Sequence, residues 1–488
     1  MNKSIFNTWI LCVVVIGVLP RSLYGQQTVF DADIRLKGGR EAFTVVNAAS
    51  GNTYLFLVDK KSVSALLIDK EFALLDSLAG ERPVNATFPD IIGSNQSGDV
   101  VNLLFASEYY HHIAIMSFDF GNKKVLQQLV DLPLKGERYA GSTTHQGKFY
   151  MFTAIKSSSK IRLYTFHDGA EYSVDDFDFG DEQFDLYSKH LSGVLRKNDL
   201  SFVDASLPVS VDEASQKNKL YCDGNSFILT FDNLPTSTEV ITINLESKRA
   251  QFTRYPHALE CKNAQSSNSF VQDGHLYQFK CCNDQMELVI TPLGTQEPVQ
   301  TFRATRDGNI KFNNTDIAWK GGVYSFSGER DPSEAKKFLR KVANSNAGVS
   351  VYNTPLGKVV TLGGYKEVTS GGGAMPMGYA TTISTPMGVI AGANPVGHSF
   401  GGYTWSSAIQ FKTLLNPRTL EHVEGKITEN VFDRIHDFEE EIELDAKSLM
   451  GRTLAATMFK YGDGCVYGYY HRKNRRYVLV AFPNEQPQ

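Results

Sequence analysis

The sequence predicts an all-β fold, a propeller of four-stranded blades with seven blades favoured and six or eight as alternatives. Three observations predict it. Short aromatic strands recur about every 47 to 50 residues, as in Tyr54–Val58, Val101–Ala106 and Phe149–Phe152, and a strand-built period of that length marks one propeller blade. Similar strands return at Leu276–Phe279, Val323–Phe326 and Val466–Tyr469. Composition agrees, with 40 Gly, 31 Phe and 22 Tyr supplying tight turns and half-buried pleats. Finally, turn dipeptides sit between alternating apolar runs, the strongest local sign of a hairpin.

The elements follow in chain order. Residues 1–25 read as a secretory signal, in which Lys3 precedes an apolar run from Trp9 to Leu19 and Leu23-Tyr24-Gly25 leads to Gln26. That run is too short to span a bilayer, and no later stretch is long enough. The mature chain, 26–488, is expected to be a single propeller domain, secreted or periplasmic and not membrane-spanning. Ala42–Val46 and the Tyr54 strand open the first repeat. Ser64–Leu78 fits one amphipathic helix or two strands split at Asp69-Lys70-Glu71, and the surrounding hairpins favour strands. Later copies turn at Gly121-Asn122, His167-Asp168-Gly169, Glu246-Ser247-Lys248 and Pro292-Leu293-Gly294.

The pattern weakens over 180–218, which reads as an insertion plus one eroded blade. From about 361 to 407 the chain becomes Gly-rich, with Gly371-Gly372-Gly373 and Gly401-Gly402 flanking Met-Pro and Pro-Met pairs. Such a stretch forms long loops carried on one face of a scaffold. Thr457–Phe482 resumes clean alternation, and a strand from the other chain end is expected to close the ring and remove the free edge.

Charge narrows the partners. The formal charge is −4, and loss of Lys3 and Arg21 with the leader makes the mature chain slightly more acidic. Nucleic acid and anionic membranes attract clustered Lys and Arg, so neither is expected as a partner. Of the five cysteines left after processing, Cys222 and Cys261 are the pair expected to form a disulfide. Cys465 is expected to be a buried thiol. No cysteine or histidine spacing suits a metal, and no cofactor is expected.

Four groups of residues bear on chemistry. Gly397-His398-Ser399-Phe400-Gly401 fits G-x-S-x-G, with Asp437 and His471 downstream in the order a triad needs. The motif resembles the nucleophile elbow of α/β-hydrolases, which would imply Ser399 as nucleophile. Asn394-Pro395-Val396 precedes it where an elbow needs a central strand, and Pro cannot donate to a ladder. Tyr109-Tyr110-His111-His112 reads as an aromatic turn able to stack on a sugar ring if it lies on an open face. His145, His167, Tyr172 and Tyr187 are similar in residue type to the proton-abstracting sites of propeller-fold polysaccharide lyases. Two acidic runs, Asp175–Glu182 and Asp437–Asp445, read as solvated edges or turns and do not match a calcium loop.

The expectation is a secreted, non-catalytic propeller that binds an extracellular protein or carbohydrate through loops on one face. Tyr379, Tyr403 and Trp405 of the Gly-rich stretch, with Tyr109 and Tyr110, are the contact residues. The alternative is an extracellular hydrolase using Ser399, or a polysaccharide lyase.

Overall fold

In the computed structural model, residues 26–483 are described except for 37–40, 48, 185–189, 263, 321–334, 368–405, 446–453, 463 and 472. These residues form seven sheets, six of four strands and one of five, and the fold is a β-propeller. Blade 1 runs Glu41–Val46, Thr53–Val58, Ser62–Ile68 and Leu74–Glu81. The ambiguous segment after Ser64 is therefore two strands. Asp69 Oδ1 makes their turn by accepting from the amides of Glu71 and Ala73 at 2.9 and 2.7 Å. Blade 2 spans Asp90 to Asp131, blade 3 Glu137 to Asp178 and blade 5 Gln265 to Thr305, each in simple up-and-down order; blade 4 runs from Asn218 to Pro256 in the same order and gains Ser201–Phe202 as a fifth, innermost strand.

Blade 6 breaks that order. Its outer strand, Ala318–Lys320, precedes the inner strand Asn346–Thr354, which is followed by Gly357–Glu367 and Ser406–Leu415. Blade 7 combines Leu454–Tyr461, Gly464–His471 and Arg476–Phe482 with Gln27–Asp33 from the other end of the chain. That N-terminal strand pairs antiparallel with Arg476–Phe482, setting Phe30 opposite Leu479 and Asp31 beside Arg476. The edge that blade 7 would expose is thereby covered.

In every blade one strand lies innermost, and inner strands of neighbouring blades contact one another, as Gln265–Gln272 does Asn346–Thr354 and Glu41–Val46 does Leu454–Tyr461. Apolar side chains then fill the seams between blades. Phe56 of blade 1 meets Phe118 of blade 2 edge-on at 5.3 Å, and both are fully buried. Similar clusters join blade 2 to blade 3, blade 3 to blade 4, and blades 4, 5 and 6 together.

Three parts of the chain differ from the sequence-based expectation. The Gly-rich stretch expected as loops over about 361–407 is strand at its described ends, where Gly363 and Gly364 pair with Gln410 and Ile409. Residues 180–217 add no blade. Among the described residues they supply a helix, Leu191–Leu195 (α1), a two-residue strand, Ser201–Phe202, and a single turn, Val211–Ala214 (α2). The acidic run at 437–445 is helical and belongs to α4, Val431–Asp445, which follows α3, Ala335–Ala343. Asn430 caps α4, its Oδ1 accepting from the amides of Phe432 and Asp433 at 2.8 and 3.0 Å. Val431 and Ile435, one turn apart, bury against Met458 and Tyr467 of blade 7. Asp433 also ion-pairs with Lys412 of blade 6 at 3.2 Å, so α4 bridges the last two blades.

Candidate binding face

The inner strands run in one sense, so every blade offers two faces. On one, the inner strand begins and the second strand ends. The residues 107–111 of blade 2 and both ends of the Gly-rich segment fall on this face. Glu367 and Ser406, which bracket 368–405, are register partners at the end of their hairpin. The segment and the Tyr109 turn therefore emerge on the same side of the molecule.

A stretch of the chain itself runs along the inside of several blades. Leu200 donates its amide to Ala140 O of blade 3 at 2.7 Å, and Ser201–Phe202 then lies parallel inside the blade 4 strand Asn218–Asp223. From there Leu207 reaches the blade 7 core beside Ile435, Met458 and Tyr467. Helix α2 next packs on the inner strand of blade 6 before the chain returns to blade 4. Its seat needs Gly348, because a Cβ there would lie 2.6 Å from Val211 O. One segment thus touches blades 3, 4, 6 and 7 from within.

At blades 1 to 3 that face carries an aromatic and acidic patch. Tyr110 stacks on Tyr139 with ring centroids 3.8 Å apart, and Tyr139 Oη shares a 2.8 Å hydrogen bond with Ser142 Oγ. Tyr109 points outward and is 71% exposed, so it is the one ring of the three free for a partner. Around them stand Glu41, Asp90 and Asp199. Burial raises all three carboxyls above their ordinary range, with Arg82 opposing at Glu41 and Asp90 and Arg138 opposing at Asp199, which is pushed up to about 6. Arg138 holds Asp199 at 3.2 Å and also donates to Leu195 O. Arg82 is nearly sealed in, donating to Pro89 O at 2.9 Å and to Asp59 O. Partly dehydrated carboxylates beside an exposed ring suit a ligand that brings hydroxyl or ammonium donors.

Tyr109 and Tyr110 were legible in the sequence; Tyr139, Asp90 and Asp199 were not, because they come from three separate segments. One signal for them was present. Glu41, Asp90 and Glu137 each open an inner strand, at the same place in three successive repeats.

The other expected residues fall elsewhere. Ser399, Tyr379, Tyr403 and Trp405 lie outside the described residues. Asp437 is exposed on α4, and His471 ends the strand Gly464–His471, where its Nδ1 accepts from the Asn474 amide at 3.2 Å; no hydrogen bond or ion pair joins the two. His145 and His167 are on the opposite face and serve separate partners, Gly224 O at 2.7 Å and Ser173 Oγ at 2.8 Å.

The disulfide expectation is corrected: Cys261 pairs with Cys282, not with Cys222, and their Cα atoms are 5.7 Å apart. Cys282 ends the second strand of blade 5, directly beside the loop that carries Cys261 into that blade. Cys222 is held in the inner strand of blade 4, packed toward the core shared with blade 3. Cys465 is a buried free thiol. Among the described residues no group of three or more ligating side chains is placed to hold a metal ion, and no helix is long and apolar enough to cross a membrane.

Between blades 4 and 5 a second polar cluster is wholly internal. Lys219 Nζ donates to Asp232 Oδ2 at 2.8 Å, Asn268 Oδ1 at 2.6 Å and Gln216 O at 2.7 Å, with both charged side chains fully buried. Asp232 also accepts from Thr238 Oγ1 and from the amide and hydroxyl of Ser269. Every donor and acceptor is matched, and the cluster fastens the seam rather than facing a ligand.

Comparison with known proteins adds fold-level likeness only. No family model matches the chain, and no curated protein matches it. Among solved structures it is similar to the Dos1 propeller, at 10% identity over 92% of this chain and 84% of that one, with a TM-score of 0.31. It is similar to the WD40 domain of SCAP from fission yeast, at 9% identity over 90% and 84%, with a TM-score of 0.31. The likeness to cobalt-substituted Synechocystis ACO has 9% identity and a TM-score of 0.29; it covers 55% of this chain and 62% of that one, so the chain spans about three-fifths of that structure's length. At such identities no residue role or activity carries over to this chain, and the propeller assignment stands on the sheet topology.

Proposed function

We propose that this chain is exported and acts as a non-catalytic propeller, binding a protein or glycan partner through the loops of the face described above. The observation that carries the reading is that two loop elements, the exposed Tyr109 turn and the segment bracketed by Glu367 and Ser406, leave the scaffold on one side. The Cys261–Cys282 bond suits an oxidising compartment, in keeping with the leader-like 1–25. Aromatic rings on loops held by a rigid scaffold are the common anchors of such interfaces. The patch on blades 1 to 3 favours partners rich in hydroxyl or ammonium donors.

The test compares three forms of the mature chain: intact, Tyr109→Ala, and one with 368–405 replaced by a short Gly-Ser linker. Each is applied to a glycan array and used as bait against extracellular proteins. A partner retained by the intact form and lost by one or both variants is expected. Identical behaviour of all three would refute the reading.

A further inference from the structure

Beside the satisfied Lys219–Asp232 pair, the seam between blades 4 and 5 holds three hydrogen-bond donors with too few acceptors. Lys217 Nζ donates to Ser267 O at 2.7 Å, and Lys280 Nζ to Pro235 O at 2.7 Å. An ammonium carries three N–H groups, and here each has one backbone carbonyl. Neither lysine ion-pairs with a carboxylate. Of the nearby acids, Asp232 is engaged by Lys219, Glu239 by Arg254 and Glu287 by Arg303, while Glu287 and Glu260 act on Lys280 across the seam without pairing with it. Lys280 is only 5% exposed. Buried charge held without a direct ion pair is costly, and a counter-ion in contact relieves it.

The third donor is His257. Gln278 Nε2 is oriented by Tyr255 O at 3.1 Å, so the same amide nitrogen faces His257 Nδ1 at 3.5 Å and makes Nδ1 the acceptor. In the neutral ring the proton then sits on Nε2, and this buried atom has no partner. Burial pushes the ring's pKa down to about 4, Asp232 opposing and Lys280 and Lys217 adding to the fall, so the ring is neutral and both ammonium groups act on it. All three residues lie at the face that carries the Tyr109 turn. Lys217 precedes the inner strand of blade 4, Pro235 lies in its second loop, and Lys280 is near the end of the second strand of blade 5. Lys217 and His257 are partly exposed and Lys280 is buried. The Cys261–Cys282 bond ties the loop after His257 to the strand that carries Lys280.

We propose that Lys217, Lys280 and the Nε2–H of His257 form an oxyanion-binding site at the seam of blades 4 and 5. The ligand group is a carboxylate, sulfate or phosphate, which supplies the acceptors that the two ammonium groups and the imidazole lack. This site is independent of the partner reading, since a small oxyanion binds here whether or not a macromolecule docks on the face.

The test is titration calorimetry of the mature chain in chloride buffer with sodium sulfate, sodium phosphate or sodium galacturonate, each at matched ionic strength. Saturable binding of at least one is expected. Preference for galacturonate assigns a carboxylate source and preference for the other two a tetrahedral one. Lys217→Gln is expected to weaken binding about tenfold, the loss of one charge-assisted hydrogen bond. Lys280→Met is expected to abolish it, while its melting temperature in chloride holds or rises because a buried unpaired charge is gone. Should Lys280→Met not fold, Lys217→Gln at its partly exposed position decides alone. No saturable heat with any of the three anions overturns the site, as does wild-type affinity in the variants.

Discussion

Replacing Lys219 by Met tests whether the blade 4–5 seam depends on one buried cation. Met fills nearly the same space, so the change removes charge and three hydrogen bonds without opening a large cavity. Asp232 remains fully buried, still accepting from Thr238 and twice from Ser269. Breaking a buried pair from one side costs about 3 to 5 kcal/mol, and the three surviving neutral donors place this case near 3. Protonation separates this from a packing defect. In the wild type, burial pushes the Asp232 carboxyl up but Lys219 pulls it down further, leaving it below its ordinary 3.8. Its contribution is therefore present above pH 3.8 and is lost only as the pH falls through that lower value. In Lys219→Met only Lys217 and the Thr238 hydrogen bond still oppose burial, so the folded pKa is expected to rise above the unfolded one, and the variant recovers stability relative to wild type as pH falls from 7 toward 5. Urea unfolding of both proteins at the two pH values measures the difference. A deficit unchanged between pH 7 and pH 5, or one below about 1 kcal/mol, would refute the reasoning.

Peptide mapping of the oxidised protein should recover a Cys261–Cys282 link, and reduction should cost about 3 kcal/mol in the chain-entropy model for a loop of 21 residues. Three thiols, Cys222, Cys281 and Cys465, should react only after denaturation, since burial raises each, that of Cys465 to about 12. Gly348→Val should unseat α2 from blade 6 and lose about 1 to 3 kcal/mol in urea unfolding, because even a Cβ meets Val211 O. Asp199, raised by burial, makes the wild type gain stability as pH falls from 7 through about 6, and Asp199→Asn should flatten that part of the melting profile.

What the sequence disclosed followed from period. A strand alternates every two residues and a blade repeats at a nearly constant length, so the hairpins at Asp119–Lys124, His167–Gly169 and Pro292–Gly294 were readable from turn chemistry alone. Closure by a terminal strand was readable for the same reason, since Arg476–Phe482 has a free edge that some other strand must cover. The parts that misread are those without a period. Residues 200–216 run along the inside of several blades in mostly irregular conformation, held by Ala140, Gly348 and the blade 7 core, none of them near it in sequence. In the run at 431–445, acids crowd Val431, Ile435 and Phe438, so a strand-like alternation of acid and apolar residues masked spacing that suits a helix just as well.

The cysteines show why pairing resisted the same reasoning. Separation along the chain, 39 residues between Cys222 and Cys261 against 21 between Cys261 and Cys282, favours neither, because loop-closure entropy changes slowly with length. What decides is the position of each cysteine within a strand. Gln265 is the register partner of Cys282, so the loop entering blade 5 passes beside the end of that strand and delivers Cys261 there. Cys222 pairs in register with Phe227 inside its own blade and faces blade 3 instead. The register of blade 5 thus sets the bond, and the bond sets how closely the His257 loop approaches Lys280. Reduction of the disulfide should therefore weaken oxyanion binding at Lys217 and Lys280 while leaving the Tyr109 patch, two blades away, unaffected. Calorimetry before and after reduction, with the protein held well below its melting temperature, reads this directly, and unchanged affinity in the reduced protein would uncouple the two.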